Sequence, residues 1–267
     1  MRVVALAGAP NVGKSTLFNR LTGLRQHTGN WVGKTVETAR GRCGGYTLVD
    51  LPGTWSLLPH SQEERVARDF LLRGGAEAVV VVCDAGCLER SLNLALQCRE
   101  LCGRVLVCVN LLDEAARRGI RVDCAALSDA LGLKVIGVVA RRRESRAQVL
   151  RALDALLAAP QQALRSPPYP APIEGALRRL EPLAAEESLP GRWLCLRLLA
   201  GEDWDAGPAL LSAAAEERAA LALSAEALED AVTAALLGEA ERVCRTCVAG
   251  ESRGYSPRDR RLDRVLF

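Results

Sequence analysis

No run of apolar residues in this 267-residue sequence approaches the roughly 20 needed to span a bilayer, which predicts that the chain itself does not cross a membrane. The first apolar stretch, VVALAG from Val3 to Gly8, is too short for the apolar region of a signal peptide and has no cleavage site behind it. It reads as a first strand. Histidine is almost missing: His27 and His60 are the two, both in loop-like sequence, where a solvated imidazole is the default over a metal or catalytic role. The ten cysteines offer no framework of their own. Only Cys244 and Cys247 form a CxxC, without the second pair of a structural zinc site, and others sit inside apolar runs such as VVVVCDAG and RVLVCVN. Reduced, mostly buried thiols are therefore expected, with Cys98 and Cys102 in a core stripe. There are no internal repeats. Basic residues are scarce between 173 and 250, where 7 face 14 acidic ones, which counts against a nucleic-acid role for that stretch.

The remaining composition is that of a globular protein, with 49% hydrophobic and 25% charged residues. Two domains are the natural expectation for this length. Residues 1–165 carry 23 basic and 15 acidic side chains, the opposite balance to 173–250. Short β-branched runs alternate there with helix-length amphipathic stretches, the pattern of a mostly parallel sheet with helices on both faces. Six strands are predicted, at 2–8, 36–42, 46–50, 76–84, 104–110 and 134–139. Gly44 and Gly45 lie between the second and third, which makes an antiparallel hairpin at one edge. Helices are predicted at 14–22, 62–73, 88–101, 123–131 (with Gly132 as its stop) and 144–158. SPPYPAP, residues 166–172, has four prolines in seven residues and reads as a linker. Beyond it, 173–250 is rich in Ala, Leu and Glu without strand-like alternation, so a small all-helical domain is expected, with Ser224 capping a long last helix.

GAPNVGKST, residues 8–16, fits G-x-x-x-x-G-K-[ST] and stands between a predicted strand and a predicted helix, as a phosphate-binding loop must. Backbone N–H groups of Gly8, Pro10 to Gly13 and Ser15 to Thr16 (proline excepted, which lends only its fixed turn) would surround phosphate oxygens at a helix N-terminus. Lys14 would neutralise the β- and γ-phosphates and Ser15 would offer its hydroxyl to Mg²⁺. DLPG, Asp50 to Gly53, ends the third strand, placing Asp50 near the metal and the Gly53 N–H near a γ-phosphate. Thr35, between the two motifs, is a candidate second hydroxyl for Mg²⁺, which would make 24–38 a switch segment; a threonine entering a strand is more often structural. NLLD, Asn110 to Asp113, ends the fifth strand, where the Asp113 carboxylate can accept from both N1–H and the exocyclic amine of guanine, an edge adenine does not present. GTP and GDP are thus the expected ligands. The next position after Asn110, often lysine in GTPases, is Leu111, which predicts modest affinity and quick exchange. In VVARR, Ala140 is a candidate backbone donor to the guanine carbonyl.

Many GTPases keep a water-orienting glutamine after DxxG; here Thr54 and Trp55 follow. That gap is addressed by a resemblance. GAPNVGKSTLFNRLTG, TGNWVGKTVE, DLPGTWSL, NLLD and the proline-broken helical segment are together similar to the cytosolic N-terminal part of ferrous iron transport protein B, FeoB. The resemblance implies Mg²⁺-dependent GTP hydrolysis at the cytoplasmic face of a bacterial membrane, regulating or driving Fe²⁺ passage through a C-terminal membrane domain outside this chain. It also implies slow turnover, a helical domain that restrains nucleotide release, and compatibility with a homo-oligomer. Residues 251–267, ending RRLDRVLF, resemble the basic segment that leads toward the first membrane helix. Some members bind K⁺ beside the phosphates, held by the P-loop asparagine, here Asn11, and by carbonyls around Gly29 to Trp31, with water placed by backbone near Trp31 or Gly33. A monovalent cation there would spread charge over the transition state as an arginine finger does. The residue-level alternative is that Asn11 serves only as a turn former. Val32 and Lys34 depart from the pattern around the switch glycine, and Val139 replaces the usual serine beside Ala140. The competing function is a GTP-dependent switch in ribosome or RNA maturation, against which the acidic second region stands.

Overall fold

The structure, a computed structural model, describes residues 1–23, 26–30, 37–58 and 61–250. The expected contributions of Trp31, Val32, Gly33, Lys34, Thr35 and His60, and the segment 251–267, lie outside the described residues.

A seven-stranded sheet of order β2-β3-β4-β1-β5-β6-β8 forms the base of the molecule. Its strands are β1 (Arg2–Gly8), β2 (Gln26–Asn30), β3 (Glu37–Cys43), β4 (Tyr46–Asp50), β5 (Ala78–Asp84), β6 (Val105–Asn110) and β8 (Lys134–Gly137). β4, β1, β5, β6 and β8 run parallel, and β3 and β2 continue the sheet by antiparallel pairing. The expected α/β class with an antiparallel edge is what forms, with one strand more than expected. The extra strand, β2, is QHTGN, which has none of the β-branched alternation that marks a strand; pairing with β3 makes it one.

The central strands are apolar on both faces because helices cover both. Val4 and Leu6 of β1 pack with α1 (Lys14–Thr22) and α6 (Glu144–Ala158), while Ala5 and Ala7 pack with α2 (Gln62–Arg73) and α3 (Leu88–Leu101). The parallel register aligns strand ends: Leu6 sits opposite Asp50, Gly8 opposite Val82, and Asp84 opposite Asn110. Four C-terminal strand ends thereby share one rim, where parallel α/β sheets bind ligands. Two short elements follow β6, α4 (Leu112–Arg117) and the two-residue β7 (Arg121–Val122), before α5 (Cys124–Leu131). Gly132 closes α5 in left-handed backbone.

The helical region consists of α7 (Ala171–Leu180), α8 (Gly191–Leu199), α9 (Pro208–Leu221) and α10 (Ala225–Cys247). α7 begins inside the stretch expected to be linker, because Pro172 falls in its first turn, where proline's missing N–H costs nothing. Ser224 caps α10 by accepting from Ala227 N at 3.1 Å. α10 lies along α3 and α5, and its buried Leu228, Val232, Leu236, Val243 and Cys244 belong to the same core as the sheet face under α3. The helices are therefore joined to the sheet through one continuous core. All ten cysteines are free thiols; seven are buried, Cys244 and Cys247 included. After α10 the chain forms β9 (Val248–Ala249), which pairs antiparallel with β7, and Asp123 N donates to Cys247 O at 2.8 Å.

Candidate functional site

The rim of the sheet gathers the sequence-predicted residues. α1 starts at Lys14, with Gly13 as its N-cap in left-handed backbone (φ 85°), no capping side chain and no acidic residue in its first turn. Its first N–H groups are thus left without a side-chain partner, and with the axial dipole they favour an anion. Asn11 also lies in left-handed backbone (φ 66°), a conformation asparagine tolerates better than most residues, so its identity has a conformational reason independent of any ligand. The neighbouring Ser15 and Thr16 are exposed on the first turn of α1, whereas Val12 is buried beneath the loop.

Lys14 is only 8% exposed. Its ammonium forms an ion pair with Asp50 and donates to Leu51 O at 2.6 Å. Burial raises the Asp50 carboxyl above its ordinary range, and the Lys14 charge and hydrogen bond oppose that shift. A cation and a carboxylate thus stand together under an uncapped helix N-terminus, a donor set that fits a phosphate and its divalent counter-ion. Gly53 packs so closely on Pro10 that a Cβ would lie 3.3 Å from the Pro10 nitrogen, and the following Thr54 N–H reaches Gly8 O at 3.3 Å. DLPG is in this way held against the phosphate loop.

Asn110 is 1% exposed and acts as a strut. Its Nδ2 donates to Val12 O at 2.9 Å, and its Oδ1 accepts from Ala140 N at 2.9 Å. A Cβ on Gly13 would collide with this amide, which requires glycine there for space as well as for backbone angle. The Ala140 N–H, expected to face a guanine carbonyl, here donates to Asn110, and through that bond Ala140 joins two loops of the site. Leu111 takes a left-handed conformation (φ 62°) and turns the chain so that Asp113 falls in the first turn of α4. The Asp113 carboxylate is paired with Arg141 and lies 3.9 Å from Arg117. Arg141 is in turn anchored through its carbonyl, which accepts from Arg20 Nη2 at 2.6 Å.

Thr54 does not replace the missing glutamine. Its hydroxyl donates to Ser56 O at 2.7 Å and accepts from Ser56 N at 3.2 Å, closing a local turn beside Glu64. Trp55 is half-buried against the core and lies under Arg90, whose guanidinium carbon is 4.0 Å from the ring centroid. Sequence reasoning passed over Asn93 and Gln97 on α3, which hold this segment, and over Arg141. The signal for Gln97 was available: a polar residue inside the apolar run LNLALQC, at a position that α3 buries.

Comparison with known proteins agrees with this geometry. The family model of ferrous iron transport protein B matches residues 2–153. The Fe(2+) transporter FeoB of Salmonella typhimurium is 38% identical over 215 residues, covering 74% of this chain and 27% of that protein. The Escherichia coli K12 transporter of the same name is 43% identical over 159 residues, 57% of this chain and 21% of that one. The chain thus spans about a quarter of the length of the relatives it matches. Among solved structures, an S. thermophilus NFeoB E67A mutant bound to GDP superimposes with a TM-score of 0.82 at 29% identity, covering 93% of this chain and 100% of that one. The cytosolic domain of the T. maritima FeoB iron transporter in its GMPPNP form gives 0.80 at 30% identity, with the same coverage.

Proposed function

Because the chain belongs to the ferrous iron transport protein B family, as its N-terminal GTPase domain, we propose that it hydrolyses GTP to GDP and phosphate with Mg²⁺. We further infer that the cycle regulates or drives Fe²⁺ passage through a membrane part of the full-length transporter, with this domain on the cytoplasmic side. The observation that carries the reading is the uncapped start of α1 set over the Lys14–Asp50 pair, on the same rim as Asp113.

The chain's own groups divide the work. N–H groups of residues 11–16 bind the phosphates, and Lys14 exchanges its contact with Asp50 for phosphate oxygens as they arrive. The Gly53 N–H meets the γ-phosphate, held in place by Pro10 and Gly8. Asp113 accepts from the guanine edge after releasing Arg141. Asp50, Ser15 and Thr35 would hold Mg²⁺, which supplies positive charge to the β- and γ-oxygens. Asn11, with carbonyls of 29–31, would hold K⁺, which supplies charge where no arginine or glutamine does.

Steady-state phosphate release tests this. Wild-type protein is expected to turn over GTP well above ATP, slowly, and faster in K⁺ than in Na⁺. Lys14→Ala is expected to abolish turnover. Asn11→Gly retains the left-handed turn and Asn11→Ala strains it, so loss of K⁺ stimulation in both assigns the amide as a ligand, and loss in the alanine variant alone assigns only a turn. Equal GTP and ATP rates in wild type would refute the role of Asp113.

A further inference from the structure

Among the described residues, 54–58, immediately after the γ-phosphate-sensing Gly53, are held by two anchors besides their own turn and the 3.4 Å contact of the Thr54 hydroxyl with Glu64. The first is the phosphate loop, through Thr54 N–H to Gly8 O at 3.3 Å and the packing of Gly53 on Pro10. The second is helix α3. Asn93 Nδ2 donates to Trp55 O at 3.1 Å, and Gln97, one turn further along and 5% exposed, accepts from Leu57 N at 2.6 Å. The Gln97 amide is fully used: its oxygen also accepts from Ser56 Oγ at 3.2 Å, and its nitrogen faces Ser56 Oγ at 3.1 Å and Asn93 Oδ1 at 3.2 Å. Arg90, one turn before Asn93, covers the Trp55 ring. Three residues of one helix face, at 90, 93 and 97, thus grip three consecutive residues of the loop. Buried amides with every valence satisfied specify geometry, since any other loop position strands a donor or acceptor.

Resting on the GTPase reading above, we propose that Gln97 is a positioning residue for hydrolysis, fixing the segment that carries Gly53 so that backbone N–H groups hold the γ-phosphate and its attacking water where other GTPases use a glutamine side chain. The Thr54 hydroxyl is committed to Ser56, which leaves backbone geometry as this segment's means of orienting water. A displacement of about 1 Å at such a site costs on the order of a hundredfold in rate, so a loop anchor acts on turnover more than on affinity. Nucleotide affinity comes mainly from α1 and the Asn110–Asp113 side of the rim, which Gln97 does not touch.

The test is GTP turnover and GDP affinity measured side by side. Gln97→Met keeps the length and apolar packing and removes the polar contacts with Leu57, Ser56 and Asn93; kcat is expected to fall about tenfold or more with GDP affinity within about twofold. Gln97→Glu keeps the acceptor for Leu57 N–H, and part of the rate is expected to return. Ser56→Ala, on a half-exposed side chain, is expected to lower kcat about threefold and guards against misfolding at position 97. A Gln97→Met protein, or a Ser56→Ala protein if the first does not fold, that turns over GTP at the wild-type rate overturns the inference and leaves the GTPase reading standing. Parallel losses in kcat and GDP affinity also overturn it, by assigning Gln97 a general structural role. Wild-type protein that fails to bind GDP removes the reading and the inference together.

Discussion

Replacing Asn110 by alanine should separate the strut described above from a direct contact with nucleotide. The side chain is buried, and its two hydrogen bonds of 2.9 Å end on the Val12 carbonyl and the Ala140 N–H. Alanine leaves both backbone groups without a partner. At about 1 to 3 kcal/mol for each stranded group, the loss is about 2 to 6 kcal/mol, and about 3 kcal/mol is expected because the phosphate loop lies at the surface and relaxes toward water. For a domain of this size that corresponds to a fall in Tm of roughly 6 to 12 °C. The measurement is urea or thermal unfolding followed by far-UV circular dichroism without nucleotide, so that ligand linkage does not enter. Because the strut joins the phosphate loop to the loop at 140, GDP affinity should fall as well, about tenfold, through both the phosphate and the base contacts. A destabilisation under about 1 kcal/mol would refute the strut and return Asn110 to a purely nucleotide-facing role.

Arg141→Ala frees the Asp113 carboxylate from its ion pair, so the ratio of GDP to IDP affinity, which reads the guanine 2-amino contact, should rise about twofold to fivefold at low salt; a falling ratio would show that Arg141 orients Asp113 instead of competing for it. Glu100, 7% exposed, has its carboxyl raised by burial, against hydrogen bonds with Tyr169 (2.5 Å) and Ser166 and the charges of Arg197 and Arg192. The folded state then binds this proton more tightly than the unfolded state, so the group's stabilisation is complete below the usual glutamate value of about 4.3 and is lost as pH rises through the raised one. Glu100→Gln should therefore show a smaller decline in urea midpoint than wild type as pH rises from about 4.3 toward neutrality; an unchanged slope would place the pH dependence elsewhere.

Much of the fold was legible because its signals are local. β1, β4, α1, α2, α3 and α6 begin and end where periodicity, glycine stops and caps put them, as with Gly132 after α5 and Ser224 before α10. What escaped depends on distant partners. QHTGN becomes β2 only beside β3, and two residues at 121–122 become a strand only because 248–249 arrive 127 positions later. The site divides the same way. Motif spacing announced Lys14, Asp50 and Asp113, yet no spacing says that Asn110 bridges two loops, that Ala140 spends its N–H inside the protein, or that α3 holds the loop after Gly53. Pro172 misled for a local reason: proline signals a break in general and a beginning at a first turn.

The β7–β9 ladder gives the molecule a mooring. α10, about 34 Å long at 1.5 Å per residue, brings the chain back across α3 and α5 to a point just beyond α4. There it is tied by backbone to the residues that follow the helix bearing Asp113. Tension applied to the polypeptide downstream of Gly250 reaches this knot before it reaches the helical core, and it is passed to the short stretch between β7 and Asp113. On the proposed role of Asp113, mechanical load from one direction and nucleotide identity from the other therefore meet over fewer than a dozen residues.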